Sequence, residues 1–483
     1  MPKIIITGLL IAFTLIGYSQ KKTDITIADL DAVAKNLLNE TKGNAVSIGI
    51  ITNGRQILKQ YGEIDKGKSN TPNSSTVFEI ASVTKTFTGL LMAKAVADNK
   101  LNLNDDIRKY LDGKYPNLEY KGTPITIQNL LTFKTGIFAE FPDYRELFTK
   151  PDDSLAFRVK KAEDNYTKKQ FFDALATVKL DTMPGAVYKH TKLGPELCAA
   201  ILENLYGKSY ESILKEQILD NTGMTKTFLH LKNGEKAANG YNQNGILMPA
   251  INLNPWGAAG LLKSTPTDLI KYMQYQMGSA NKAITESHRI LSEGSEGTFA
   301  YCWNVVKDRE GKTAYWMHGG AFGTQNIIVV WPEYGLGISI IINQSGPDTF
   351  YHLQDARFAI EDQLKPGKKS IIRKIKSKYP NNTNDALAYY KKLKLTNEYY
   401  LEEDEINRYG YSLLSSQQPE AALKIFNLYV AEFPNSPNGY DSRGEVYYNQ
   451  KNYAASRKDY EKSLQLNPQN QNAKEMILKI KGL

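Results

Sequence analysis

Cysteine is nearly absent from this chain of 483 residues. Cys198 and Cys302 are the only two, which excludes a scaffold built on disulfides. Cys198 falls in the apolar stretch from Leu193 to Leu205, where a buried free thiol is the expected state. Histidine is scarce as well, with five residues in all. None stands in a His-x-x-x-His, Cys-x-x-Cys or clustered-carboxylate spacing, so neither a metal nor another cofactor is expected. Long apolar runs are missing after the first twenty residues, and a run from Ile4 to Gly17 is too short to cross a bilayer comfortably. With Lys3 before it and the small Gly17 and Ser19 after it, that run reads as a secretory signal peptide over residues 1–19. No cysteine follows to carry a lipid anchor. The expectation is an exported bacterial protein, periplasmic or secreted, with no membrane span once mature. Basic and aromatic residues do not interleave, and no nucleic-acid motif is present, so nucleic acid is not an expected partner.

The formal charge of +9 is partly local. Between Lys365 and Lys378 there are seven lysines and arginines and no acid. This stretch reads as a solvated basic linker, 365–385, between two folded units; attraction to an anionic surface is the other reading. Before it, Ala45–Ile51 and Gln56–Gly62 read as strands joined by an Asn53-Gly54 hairpin turn. Further strands are expected at Ala300–Val306, Thr313–His318, Gln325–Trp331 and Gly337–Asn343, and a closing helix at Asp348–Leu364. Strands at both ends with helices between predict one antiparallel sheet carrying helices on its faces, an α+β unit over 27–364. After the linker, Gly410 recurs as Gly444, Ala421 as Ala455, Phe426 as Tyr460 and Pro434 as Pro468, each 34 residues on. That period and its small residues resemble the tetratricopeptide repeat. An all-α repeat domain is therefore expected over 386–483, either binding a protein partner or simply packing on the first unit.

The most informative stretch is Phe78-Glu79-Ile80-Ala81-Ser82-Val83-Thr84-Lys85, which opens an apolar helix running to Val96. Ser82 and Lys85 share a helix face one turn apart, where an amine can take the proton of a hydroxyl. A capped helix with a solvated lysine is the plainer account of the same spacing. Further landmarks follow: Ile125 to Ile137 with Lys134-Thr135-Gly136, Pro184-Gly185, Gly260 to Thr265 with Asp268-Leu269, and His318-Gly319-Gly320. Together they resemble the penicillin-recognising serine hydrolases: class C β-lactamases, D,D-peptidases and related esterases.

The resemblance implies a β-lactamase/transpeptidase-like antiparallel sheet with an all-helical subdomain and an active site at their junction. It implies Ser82 as nucleophile, Lys85 as its base, and an oxyanion held by the backbone amides of Ser82 and Ala321. His318 would line the cleft, with Gly320 leaving room for substrate. The second motif departs from the family's Tyr-x-Asn: the register places His190-Thr191-Lys192 there. Histidine retains acid–base capacity, so His190 is a candidate proton carrier, and Tyr188 a weaker one. Lys192 cannot accept a hydrogen bond as an amide does, but it can receive a substrate carboxylate. The reading is a serine hydrolase acting through an acyl-enzyme on a small molecule or peptide: an ester, a D-residue peptide or a β-lactam. The alternative is a non-catalytic binding protein whose site has degenerated and whose repeats recruit a partner.

Overall fold

The computed structural model describes residues 25–149, 152–232, 234–379 and 382–482, so the expected signal peptide lies outside the described residues. Eight strands build the main sheet: β1 (Ala45–Thr52), β2 (Arg55–Gly62), β3 (Ser292–Gly294), β4 (Gly297–Phe299), β5 (Asn304–Lys307), β6 (Thr313–Gly320), β7 (Gln325–Trp331) and β8 (Leu336–Ile342). Their order is β2-β1-β8-β7-β6-β5-β4-β3, and every pairing is antiparallel. The two ends of the unit therefore meet at the centre of the sheet, where Ile48 lies opposite Ile340.

Both faces of the central strands are covered, and the side chains divide between them by strand alternation. Ile327, Val329 and Trp331 of β7 join Ile338, Ile340 and Ile342 of β8 in a core closed by the helices α1 (Ile27–Thr41) and, near the other end of the unit, Thr349–Leu364. Ile328, Val330 and Ile341 point the other way, into a larger core built around α2 (Thr84–Ala97). Almost every residue of α2 is buried, so it is an interior helix and not an amphipathic one. Gly89 is required there, because a Cβ would overlap the Tyr301 carbonyl. At the β1–β2 turn, Asn53 and Gly54 both take positive φ, 49° and 79°, as the hairpin dipeptide demands.

The helical side includes α3 (Ile127–Leu131), α4 (Leu155–Asp164), α5 (Leu193–Tyr206) and α6 (Pro266–Gln276). The Thr349–Leu364 helix, α7, lies close to its expected span. The sheet differs from expectation at one edge: Ala300–Trp303 is not strand, since Cys302 takes φ 60°, and the polar hairpin β3–β4 extends the sheet instead. Cys198 and Cys302 are both buried and free.

The expected solvated linker is corrected by α8 (Ile371–Lys378), whose Ile371, Ile372 and Ile375 are buried in a core shared with the repeats. The sequence shows why the charge misled: the basic residues take one side of a short helix and the three isoleucines the other. Arg373 bridges Asp362 of α7 and Glu405 of the repeat unit, at 2.7 and 2.6 Å. The repeat unit comprises α9 (Thr383–Lys394), α10 (Glu403–Ser415), α11 (Pro419–Glu432), α12 (Pro437–Asn449), α13 (Tyr453–Leu466) and α14 (Gln471–Lys481). Gly410 of α10 sits against the Phe426 ring of α11, and Gly444 of α12 against Tyr460 of α13, which explains the small-against-aromatic pairing at a fixed offset.

Candidate active site

Ser82 lies in a 3-10 turn, Ala81–Val83, between the short strand Phe78–Glu79 and α2. The chain reverses sharply into it, because Ala81 is fully buried and takes φ 43°. A non-glycine residue held in the left-handed region stores local strain. Ser82 is half-buried, and its N–H, in the first turn, has no acceptor among the described residues. Lys85 is buried, and its Nζ makes two contacts: Ser82 Oγ at 2.8 Å and the Ala259 carbonyl at 2.6 Å. Burial pushes its pKa down from 10.5 to about 8, against the opposing pull of Cys302, Glu196 and Glu140.

Phe133 anchors the second motif: its carbonyl accepts from Lys189 N, and its ring packs on His190 and on Tyr188. His190 Nδ1 lies 3.3 Å from the Tyr188 hydroxyl. Desolvation by neighbouring residues, then the positive charge of Lys85, lowers the His190 pKa; the residue is solvent-exposed, which moderates the effect. Both influences favour the neutral imidazole, with Lys85 and His318 as the nearby cationic groups. Tyr188 is pushed up to about 12 by burial, so it is a weak acid and no phenolate.

Lys192 is not free. Its ammonium is buried against Glu163 Oε1 and donates to the Tyr144 hydroxyl at 2.7 Å. A substrate carboxylate would have to compete with Glu163, so the expected anion contact is not prepared in this geometry.

His318, Gly319 and Gly320 end β6. His318 meets Gln325 through Nε2 at 3.0 Å and packs against Phe350. Gly319 faces the turn that carries the nucleophile, and a Cβ there would overlap the Ile80 carbonyl. The expected oxyanion donor Ala321 is occupied: its N–H donates to Thr324 O at 2.8 Å, closing the β6–β7 hairpin. Bonded and non-bonded pairs alternate along an antiparallel ladder. Gly320, paired with Gln325, therefore turns its N–H away from β7. On that side β5 pairs only as far as Trp316, so the Gly320 amide is the one left open toward the cleft.

Four acidic residues went unread in the sequence. Glu140 is half-buried, lies close enough to Lys85 and Lys192 to interact with both, and has a raised pKa through desolvation. Glu163 is buried against Lys192, and Glu196 is buried close enough to Lys192 and Lys85 to interact with both. Glu79 is buried next to the nucleophile turn. None stands in a recognisable spacing, and only the fold brings them together.

A serine paired with a buried lysine, at the start of an interior helix and against the end of strand β6, is the arrangement of a serine hydrolase of the β-lactamase/D,D-peptidase-like type. Residues 30–361 match the family model described as Beta-lactamase, and the chain belongs to that family. Residues 437–470 match the tetratricopeptide repeat model. Among curated proteins, the chain is 24% identical over 372 residues to the D-alanyl-D-alanine-carboxypeptidase/endopeptidase AmpH of Escherichia coli (strain K12), covering 71% of this chain and 90% of that protein. It is 26% identical over 329 residues to Protein flp of Staphylococcus aureus (strain MRSA252), covering 65% of this chain and 62% of that one. Among solved structures, a class C beta-lactamase superposes with a TM-score of 0.60 at 21% identity, covering 71% of this chain and 97% of that one. The beta-lactamase/D-alanine carboxypeptidase of Pseudomonas syringae gives 0.58 at 18%, covering 70% and 99%.

Proposed function

We propose that this protein is an exported hydrolase that forms an acyl-enzyme on Ser82, acting on a short peptide ending in a D-residue or on an ester, with β-lactam turnover slow. The observation that carries the reading is the 2.8 Å contact between Ser82 Oγ and a buried Lys85 whose amine is depressed toward neutrality. In the neutral form, Nζ donates one hydrogen to the Ala259 carbonyl and turns its lone pair to the serine hydroxyl. Ser82 Oγ loses its proton to Nζ as it attacks the substrate carbonyl carbon. The oxyanion is held by the N–H groups of Ser82 and Gly320, where such donors contribute most to rate. The proton then passes from Lys85 through His190 to the leaving nitrogen or oxygen. Water repeats the sequence in reverse to free the acid and Ser82.

His190 in place of a phenol supports slow deacylation and so argues against an efficient β-lactamase. The related carboxypeptidase/endopeptidase supports the peptide reading. His318 would contact substrate from the strand side, and Lys192 would shape the cleft through Glu163. The repeats would recruit a protein partner.

The test is labelling of the mature protein with a fluorophosphonate, read by intact mass beside Ser82→Ala, followed by a panel of D-Ala-D-Ala peptides, esters and a penicillin. One adduct lost in Ser82→Ala is expected, with a long-lived penicillin adduct. No adduct on a folded parent would sink the hydrolase reading and leave a non-catalytic binding protein in its place.

A further inference from the structure

Residues 251–259 carry no helix or strand, and yet Trp256, Ala258 and Ala259 are buried. Irregular backbone in an interior must find polar partners, and here carboxylates supply them. Ile251 N donates to Glu79 Oε1 at 2.6 Å, and Asn254 N to Glu163 Oε2 at 3.2 Å. Trp256 N and Ala259 N donate to the two oxygens of Glu196, at 3.0 and 2.9 Å. The last residue of this segment presents the carbonyl that orients Lys85.

Resting on the hydrolase reading above, we infer that Glu196 is a positioning residue for Lys85, acting through the backbone of Ala259, with the Glu163–Lys192 pair securing the same segment upstream. Glu196 is fully buried on α5, one helical turn after Lys192. Each of its oxygens accepts an N–H, and among the described residues neither has an acceptor to donate to; these contacts and the two lysines favour the carboxylate, against the desolvation that raises its pKa. It fixes the Ala259 peptide, and the Ala259 carbonyl fixes which Nζ hydrogen points away from Ser82. Thr88 Oγ1 holds the neighbouring Ala258 carbonyl at 2.8 Å, so the support is two-sided. Lys192, the departure in the second motif, acquires a role in this arrangement: it neutralises Glu163, which otherwise would be an uncompensated buried charge next to Asn254.

Glutamine at 196 keeps the shape, but offers an amide hydrogen to one of the two N–H donors. The same change removes a negative charge that supports the Lys85 ammonium. The experiment is the rate of Ser82 labelling by a fluorophosphonate between pH 6 and 10, in the parent and in Glu196→Gln. The expected result is a plateau at least tenfold lower and an inflection moved to lower pH. A merely structural residue would lower Tm and leave the inflection in place; that outcome, or labelling within twofold of the parent, overturns the inference. If Glu196→Gln does not fold, Glu196→Asp is read instead: it keeps the charge, and must keep the inflection while lowering the plateau. If the parent is not labelled at all, the hydrolase reading fails separately. The midpoint of the Lys85 Cε resonance in lysine-labelled protein then decides the positioning, and must still fall in Glu196→Gln.

Discussion

The base strength of Lys85 can be tested through pH alone. An ordinary lysine at 10.5 would be neutral in about one molecule in three thousand at pH 7; at about 8 it is neutral in roughly one in ten. The gain is roughly 300-fold, equivalent to about 3 kcal/mol of the barrier to forming the nucleophile. The cause is burial first, because Nζ is enclosed and has two oxygen partners among the described residues. Only the neutral amine accepts the serine proton, so the Ser82 labelling rate should rise about tenfold per pH unit below 8 and flatten above it. Lys85→Ala should lose at least a hundredfold at pH 8 and show no such inflection. A rate that keeps climbing to pH 10 would refute the depressed amine. The same inflection in Lys85→Ala would show that another group sets it.

Four further outcomes follow from the geometry. Gly319→Ala should abolish labelling and lower Tm, since its methyl overlaps the Ile80 carbonyl, whereas Gly320→Ala, whose nearest neighbour is His318 Cε1 at 3.5 Å, should fold like the parent; differential scanning fluorimetry separates the two. His190→Gln should cut labelling without removing any inflection between pH 6 and 7, because the lowered imidazole is already neutral there; an inflection lost with His190 would contradict this. Burial raises Glu79 to about 7, so the folded protein binds more protons than the unfolded chain between pH 4.5 and 7, and stability drains as pH rises through that window. Glu79→Gln should therefore gain on the parent between pH 5 and 8 by no more than about 3 kcal/mol, seen as a growing Tm difference. Arg373→Ala strands Asp362 and Glu405 at the junction and should cost about 3–5 kcal/mol, with earlier proteolysis between α7 and α10.

Much of this could be read along the chain because it depends on near neighbours. The Ser82–Lys85 pair follows from helical spacing, the β1–β2 turn from Asn53-Gly54, and the repeats from a 34-residue offset. What escaped depends on residues far apart in sequence. Glu196 meets Ala259 across 63 positions, and Lys192 meets Glu163 across 29. No local pattern distinguishes a glutamate that will be buried from one that will be solvated. Lys192 seemed available for substrate because its partner lies on another helix. Ala321 seemed a free donor because hairpin closure is a property of two strands together. The basic run misled for a related reason: charge density is visible in the sequence, but the three isoleucines of α8 matter only once α7 and α10 are beside them.

That junction has a consequence for how the two units would cooperate. α8 is built into the wall between them and Arg373 ties both sides, so the repeats are joined to the hydrolase through a packed and ion-paired junction. A tethered module on a flexible arm samples many orientations, and its local concentration at a neighbouring site is an average over them. A packed junction narrows that average. The bearing at which the repeat surface faces the cleft is then set by the packing of α8 and not by the length of an arm.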